Sequence, residues 1–146
     1  MAKPEKDDTL YAFIDTYIFI HFPFINEIDW PKELNSEHVC LVISPINITE
    51  LDDIKDGMKK PGRRDLAAKV SKFLVNTLEQ VAPNEEVAMP QRPRTSLLYT
   101  TEDDLSIDSR LRYEKQDDHL IAAALRFKTN NHNAHVILIA DDFNCR

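Results

Sequence analysis

Leu10-Tyr11-Ala12-Phe13-Ile14-Asp15 is an unbroken apolar run closed by a carboxylate. A strand with one wet face alternates apolar and polar residues. A short continuous run fits a strand covered on both faces, as in a parallel sheet. The pattern recurs. His38-Val39-Cys40-Leu41-Val42-Ile43 is rich in β-branched residues and is closed by Ser44-Pro45. Val136-Ile137-Leu138-Ile139-Ala140 is closed by Asp141 and Asp142. Each predicts a buried strand.

Helical periods separate these runs. Ile48, Leu51 and Ile54 form one stripe within residues 46–55, with Glu50 on its flank. Residues 63–82 are the clearest helix, with Leu66, Val70, Phe73, Leu74, Thr77, Leu78 and Val81 on one face. Residues 115–128 form another, with Asp117 and Asp118 in a first turn where carboxylates suit the helix dipole. Residues 16–22 start a helix that Pro23 disturbs. Residues 26–36 read as irregular, with a turn or helix start at Trp30-Pro31. Residues 58–62 are a breaker, 85–89 a short strand, and 90–94 a proline-rich extended segment. Residues 96–100 and 102–108 show no clear period. Strands alternating with helices predict an α/β domain with a mostly parallel sheet covered on both faces.

Composition removes several function classes. Only two glycines occur, so no glycine-rich phosphate loop or dinucleotide fingerprint is possible. Two cysteines, Cys40 and Cys145, make no disulfide framework or metal knuckle, and predict ordinary thiols in a reducing, cytoplasmic setting. No apolar run reaches the length of a membrane span. Residues 1–9 are charged, lack a secretory apolar stretch and read as a flexible tail. The remaining residues, 10–146, are a natural size for one compact domain. A net charge of −7 argues against a protein that coats nucleic acid nonspecifically. It leaves room for an enzyme whose acids bind divalent ions, because two Mg²⁺ would invert the local charge.

Ligands of open α/β sheets bind beyond the carboxyl ends of the strands. Asp15 follows the first strand, Glu50 the second by one helical turn, and Asp141 and Asp142 the last; Asp118 begins the helix before that strand. Such acids repel one another unless cations hold them, and carboxylates select hard ions, Mg²⁺ or Mn²⁺. His21, His38, His119, His132 and His135 show no metal-ligand pairing and read as surface or structural residues. With 25 acids in the chain some fall at strand ends by chance, so spacing alone leaves the metal site open.

Four segments resemble the motifs of PIN domains. Phe13-Ile14-Asp15-Thr16 is similar to the opening strand and Asp-Thr-Asn. Ser44-Pro45-Ile46-Asn47-Ile48-Thr49-Glu50-Leu51 is similar to the proline followed by Glu-Leu. Asp118-His119-Leu120-Ile121-Ala122-Ala123-Ala124-Leu125 resembles Asp-x-Leu-Ile-x-x-x-Ala/Leu. Ile137-Leu138-Ile139-Ala140-Asp141-Asp142-Phe143-Asn144 resembles an apolar strand before Thr-x-Asp-x-Asn. The resemblance implies a Rossmann-like three-layer α/β/α sandwich and Mg²⁺- or Mn²⁺-dependent cleavage of RNA, single-stranded by expectation. It implies Asp15, Glu50, Asp118 and Asp142 as catalytic metal-binding acids, with Asp117 a worse fit at its offset and Asp141 a second ligand or an alternative to Asp142. Tyr17 stands for the usual Asn and Ala140 for the usual Thr, removing hydrogen-bonding groups near the metal. The resemblance also implies a domain cut short at its C-terminus, since Arg146 comes before the family's usual end.

Lys59, Lys60, Arg63, Arg64, Lys69 and Lys72 stand against only Asp65 within residues 59–72, a basic patch in an acidic chain. Thr16, Arg63, Arg64, Lys59 and Lys60 are the expected substrate contacts, the basic residues through RNA phosphates; a solvated helix face explains the basic patch equally well. Competing readings are a catalytically weak PIN-fold RNA-binding or scaffold module, and a phosphatase or phospho-acceptor domain using Asp15. A regulatory protein partner or a homo-oligomer is compatible with any of them.

Overall fold

The computed structural model describes residues 9–21, 23–57, 61–101, 105–112 and 115–140. The elements, in chain order, are β1 (Thr9–Ile14), α1 (Ile18–His21), a 3₁₀ turn (Ile25–Glu27), α2 (Trp30–Glu33), β2 (His38–Ile43), α3 (Pro45–Gly57), α4 (Pro61–Leu78), β3 (Val87–Met89), β4 (Arg92–Tyr99), a second 3₁₀ turn (Leu105–Ile107), α5 (Gln116–Asn130) and β5 (His135–Ile139). The five strands form one sheet in the order β3-β4-β2-β1-β5. Its β4-β2, β2-β1 and β1-β5 pairs are parallel, and only β3 runs antiparallel, to β4.

The continuous apolar strands are explained by three layers. Ala12, Ile14, Val39, Leu41, Ile43 and Leu97 face Phe19 of α1, Leu51 of α3, and Ala67, Val70 and Leu74 of α4. The alternate residues Tyr11, Phe13, Cys40, Val42 and Leu98 face Leu120, Ala123 and Phe127 of α5. Phe127 anchors that second layer, its ring centroid 4.9 Å from Tyr11 and 5.6 Å from Phe13. Truncating such a side chain to alanine typically costs about 3–5 kcal/mol.

Three expectations are corrected. The proline-rich stretch and the segment after it form an eight-residue strand, β4, which pairs with β2 from Val39↔Thr95 to Ile43↔Tyr99. Pro93, which lacks an N–H, precedes that ladder, and Gln91 turns the β3–β4 hairpin at φ 67°. β5 is an edge strand rather than a buried one, and Leu138 is 43% exposed. A single neighbouring strand and α5 cover it incompletely. Finally, α4 ends at Leu78, not near residue 82. Pro83 disfavours helix at the residue before it, and Asn84 enters the left-handed region at φ 69°. The breaker residues 58–60 lie outside the described residues; Pro61 opens α4 at the first helical position, which tolerates proline.

The connection from β1 proceeds to β2 and then β4 on one side, and the chain returns to the other side of β1 as β5. The carboxyl ends of β1 and β5 are therefore a topological switch point, where the sheet opens a crevice. Among the described residues no helix is long and apolar enough to cross a membrane.

Candidate active site

Asp15 sits at the switch point. Its N–H donates to the Ile139 carbonyl at 2.8 Å, so the β1–β5 ladder runs up to this residue. Its Oδ1 accepts the N–H of Tyr17 at 3.1 Å. This turn, closed by the aspartate's own side chain, sets the carboxylate's direction and leads into α1.

Asn47 joins the two strand ends. Its Oδ1 accepts from the Ser44 N–H at 3.0 Å and the Ser44 hydroxyl at 3.1 Å. Its Nδ2 donates to the Ile14 carbonyl at 2.9 Å and to Thr16 Oγ1 at 3.0 Å. Ser44 follows β2 and precedes α3, so this is a variant of the capping box, with the third helical residue reaching back to the cap. The Thr16 hydroxyl passes the chain of bonds on, donating to Glu50 Oε1 at 2.9 Å. Thr16, expected among the substrate contacts, is fully buried and instead holds an acid in place.

Glu50 is only 9% exposed. Burial is the main cause that pushes its carboxyl up to about 7; the Thr16 hydrogen bond opposes the rise, and the negative charges of Asp15, Asp117 and Asp53 add to it. Among the described residues no Lys or Arg forms an ion pair with it. Two acids at the start of α5 behave differently. Asp117 is exposed and its charge reaches Glu50. Asp118 Oδ2 accepts the Arg112 N–H at 2.8 Å and so ties the helix start to the preceding loop.

One basic residue, Arg63, is close enough to act on the group beside Asp15. Burial and the charges of Glu50, Asp15 and Asp53 raise the Tyr17 hydroxyl pKa, and Arg63 of α4 opposes them. Arg63 is half-buried and Arg64 exposed. Lys69 lies over the Phe24 ring, 5.6 Å from its centroid. Asp141, Asp142, Lys59 and Lys60 lie outside the described residues.

A family model described as the PIN domain matches residues 12–146, nearly the whole chain. The chain belongs to the PIN-domain family. Comparisons with curated proteins and with solved structures return no match. PIN domains are generally nucleases and usually use divalent metal ions.

In this PIN domain, no three His, Cys, Asp or Glu side chains among the described residues are grouped closely enough to hold an ion between them. The donor chemistry nevertheless fits a hard divalent cation. Glu50 is a carboxyl raised first by burial and further by three neighbouring acids, and held by the uncharged Thr16 hydroxyl; a divalent charge would relieve the repulsion. Asn47 was missed as a site residue, although Ser44-x-x-Asn47 has the spacing of a capping box. The position of Asp117 also had a signal. It precedes the buried Leu120 and Phe127 by three and ten residues, on the helix ridge that faces the sheet.

Proposed function

We propose that this PIN domain is a metal-dependent endoribonuclease that hydrolyses phosphodiester bonds of single-stranded RNA. Glu50 carries the reading: a buried carboxyl raised to about 7, at the carboxyl end of a parallel sheet, facing other acids. Burying such a group disfavours folding unless something binds it.

Glu50, with Asp15 and Asp117 whose charges reach it, would contribute separately to drawing in Mg²⁺ or Mn²⁺ rather than form a closed three-acid cage, and Asp142 and Asp141, which follow β5 in sequence, would complete the ligands. Asp118 is assigned to the helix start, because its carboxylate holds the Arg112 N–H and it is Asp117 whose charge acts on Glu50. Bound there, the ion supplies Lewis acidity toward phosphodiester oxygens and lowers the pKa of a water. Glu50 couples ion uptake to proton release, since it must ionise to become a ligand. Thr16 and Asn47 fix Glu50 against the strand ends, and the Tyr17 N–H fixes Asp15. Arg63, whose charge reaches Tyr17 beside Asp15, binds RNA phosphates together with Arg64 and positions the strand; Lys59 and Lys60, which precede them in sequence, would add to that contact.

The test is labelled single-stranded RNA incubated with Mn²⁺, with Mg²⁺ and with chelator. Cleavage should require the ion and should vanish in Glu50→Gln. Retained RNA binding with no cleavage in any condition would establish the second reading, a catalytically weak PIN-fold scaffold. That reading draws on Tyr17, whose bulk occupies the position beside Asp15. Turnover of small phosphoesters without RNA cleavage would point to a phosphatase.

A further inference from the structure

A second polar cluster lies on the α5 face of the sheet, beside Tyr11, Cys40 and Leu98. It centres on Glu86, just before β3. Glu86 Oε1 accepts the Ser96 hydroxyl at 2.8 Å, and the same hydroxyl lies 3.2 Å from His38 Nε2. His38 Nε2 is itself 4.0 Å from Glu86 Oε1. The Tyr11 hydroxyl and the Cys40 thiol lie close enough to Glu86 for its charge to add to the rise that burial gives their pKa values. Four side chains from β1, β2 and β4 thus converge on one carboxylate that the acidic centre does not use. Burial lowers the His38 pKa, so at neutral pH no imidazolium cancels the charge on Glu86. The carboxylate is not sealed in: its side chain is 39% exposed and lines a cavity of about 320 Å³. Asn84, Leu98, Thr100 and Phe127 line the same cavity. Asn84 is held in the left-handed region at φ 69°, with its N–H bonded to the Tyr99 carbonyl at 2.7 Å.

We propose that this cavity is a guanine-binding pocket. An ionised carboxylate only accepts hydrogen bonds and can take two parallel ones. Among RNA bases only guanine presents two adjacent N–H donors on its Watson–Crick edge, at N1 and N2. Adenine and cytosine place a ring-nitrogen acceptor beside their single amino donor, and uracil flanks its one N–H with two carbonyls. Those acceptors would face the carboxylate and repel it. The Asn84 carboxamide, two residues from Glu86, can donate to guanine O6 while Glu86 takes N1–H and N2–H. Leu98 and Phe127 supply apolar walls for the ring. Ser96 pins the carboxylate before the base arrives, so little ordering remains to be done on binding.

The choice of a nucleobase rests on the ribonuclease reading and deepens it. α5 links the two sites, since Asp117 lies in its first turn and Phe127 lies ten residues on, roughly 15 Å away along the helix. A single strand cut at the acids can therefore present an unstacked guanine to this pocket a few nucleotides away.

Binding of GMP, AMP, CMP and UMP is measured by NMR titration in chelator, so the result does not depend on cleavage. GMP should bind at least about tenfold more tightly than the others, as one bidentate base contact gives. Its shifts should map to Asn84, Glu86, Leu98 and Phe127. Glu86→Gln, checked for folding by its melting curve, should lose the preference, and Asn84→Ala should weaken GMP alone. Equal affinity for the four nucleotides, no GMP binding at millimolar concentration, shifts confined to the acidic centre, or an unchanged preference in Glu86→Gln would each overturn the proposal. Guanine-selective binding by a protein that cleaves no RNA would leave the pocket standing and sink the nuclease reading instead.

Discussion

Replacing Glu50 by glutamine should make the metal-free protein more stable, not less. In the folded state the Glu50 carboxyl is pushed up to about 7, from an ordinary value of 4.5. Between those values the folded chain binds more protons than the unfolded chain, so this residue's contribution to stability falls as pH rises. It is fully present below pH 4.5 and is lost once the pH passes about 7. The difference between the two values corresponds to roughly 3 kcal/mol. Glutamine does not titrate, keeps the shape, and keeps an oxygen to accept the Thr16 hydroxyl. The variant should therefore match the wild type near pH 4 and exceed it by up to roughly 3 kcal/mol at pH 8. For a chain of this size that is a melting-temperature gain on the order of 10 °C. Urea unfolding of both proteins in chelator, from pH 4 to pH 8, measures the difference. Saturating Mn²⁺ should reverse the order, because a thousandfold excess over Kd adds roughly 4.1 kcal/mol to whichever protein binds it. A variant less stable than wild type at pH 8, or a difference that does not change with pH, refutes the argument. Glu50 would then be a satisfied buried group, and the case for a cation there would go with it.

Asp117→Asn should cut RNA cleavage by more than about a hundredfold, a loss in the range expected when a metal site is damaged. Asp118→Asn should change stability by at most about 1 kcal/mol and leave cleavage near wild type, since asparagine still accepts the Arg112 N–H; the opposite ranking in single-turnover assays would restore Asp118 to the centre. Arg63→Ala with Arg64→Ala should weaken RNA binding and flatten its salt dependence by up to about 1.4 in log–log slope, from two lost phosphate contacts to a single strand. Unchanged gel shifts at two salt concentrations would make this patch a solvated helix face. Asn47→Ala should destabilise the fold by several kcal/mol, because it strands the buried Ser44 N–H and the Ile14 carbonyl together; a melting curve within 2 °C of wild type is the outcome that refutes it, an allowance set by roughly 2–4 °C per kcal/mol.

The parallel strands could be read directly because burial on both faces leaves a mark in one dimension. Residues 10–14 and 38–43 are continuous apolar runs, and they became neighbouring central strands. β4 was opaque for the complementary reason. Its first half, Arg92-Pro93-Arg94, extends beyond the ladder with β2, and its burial begins only at Thr95. A strand that is half core and half surface gives no single period. The run at 136–139 shows the converse error. Apolar residues report that a segment avoids water, not how many strands flank it, so an edge strand with Leu138 in view reads like a central one.

The site was partly legible for a different reason. Asp15 and Glu50 could be proposed because strand ends of a parallel sheet lie on one side, whatever the loops do. What holds them could not, since it depends on hydrogen bonds that cross 31 and 34 residues of chain, from Asn47 to Thr16 and from Thr16 to Glu50. The chemistry of those restraints matters more than their number. A lysine or arginine beside Glu50 would have lowered its pKa and stabilised the empty fold, but it would also have filled the place of a cation. Thr16 and Asn47 are uncharged. They orient the carboxylate and leave its charge uncompensated, so the repulsion among Glu50, Asp15, Asp117 and Asp53 remains available to drive the binding of a positive ion. Thr16→Val separates orientation from charge. It removes the donor with nearly the same volume, and should raise the Glu50 pKa further because the one bond favouring ionisation is gone. Metal affinity should fall at neutral pH and recover above pH 8, once Glu50 ionises without help. An affinity loss that stays the same at every pH would mean that Thr16 acts by geometry alone.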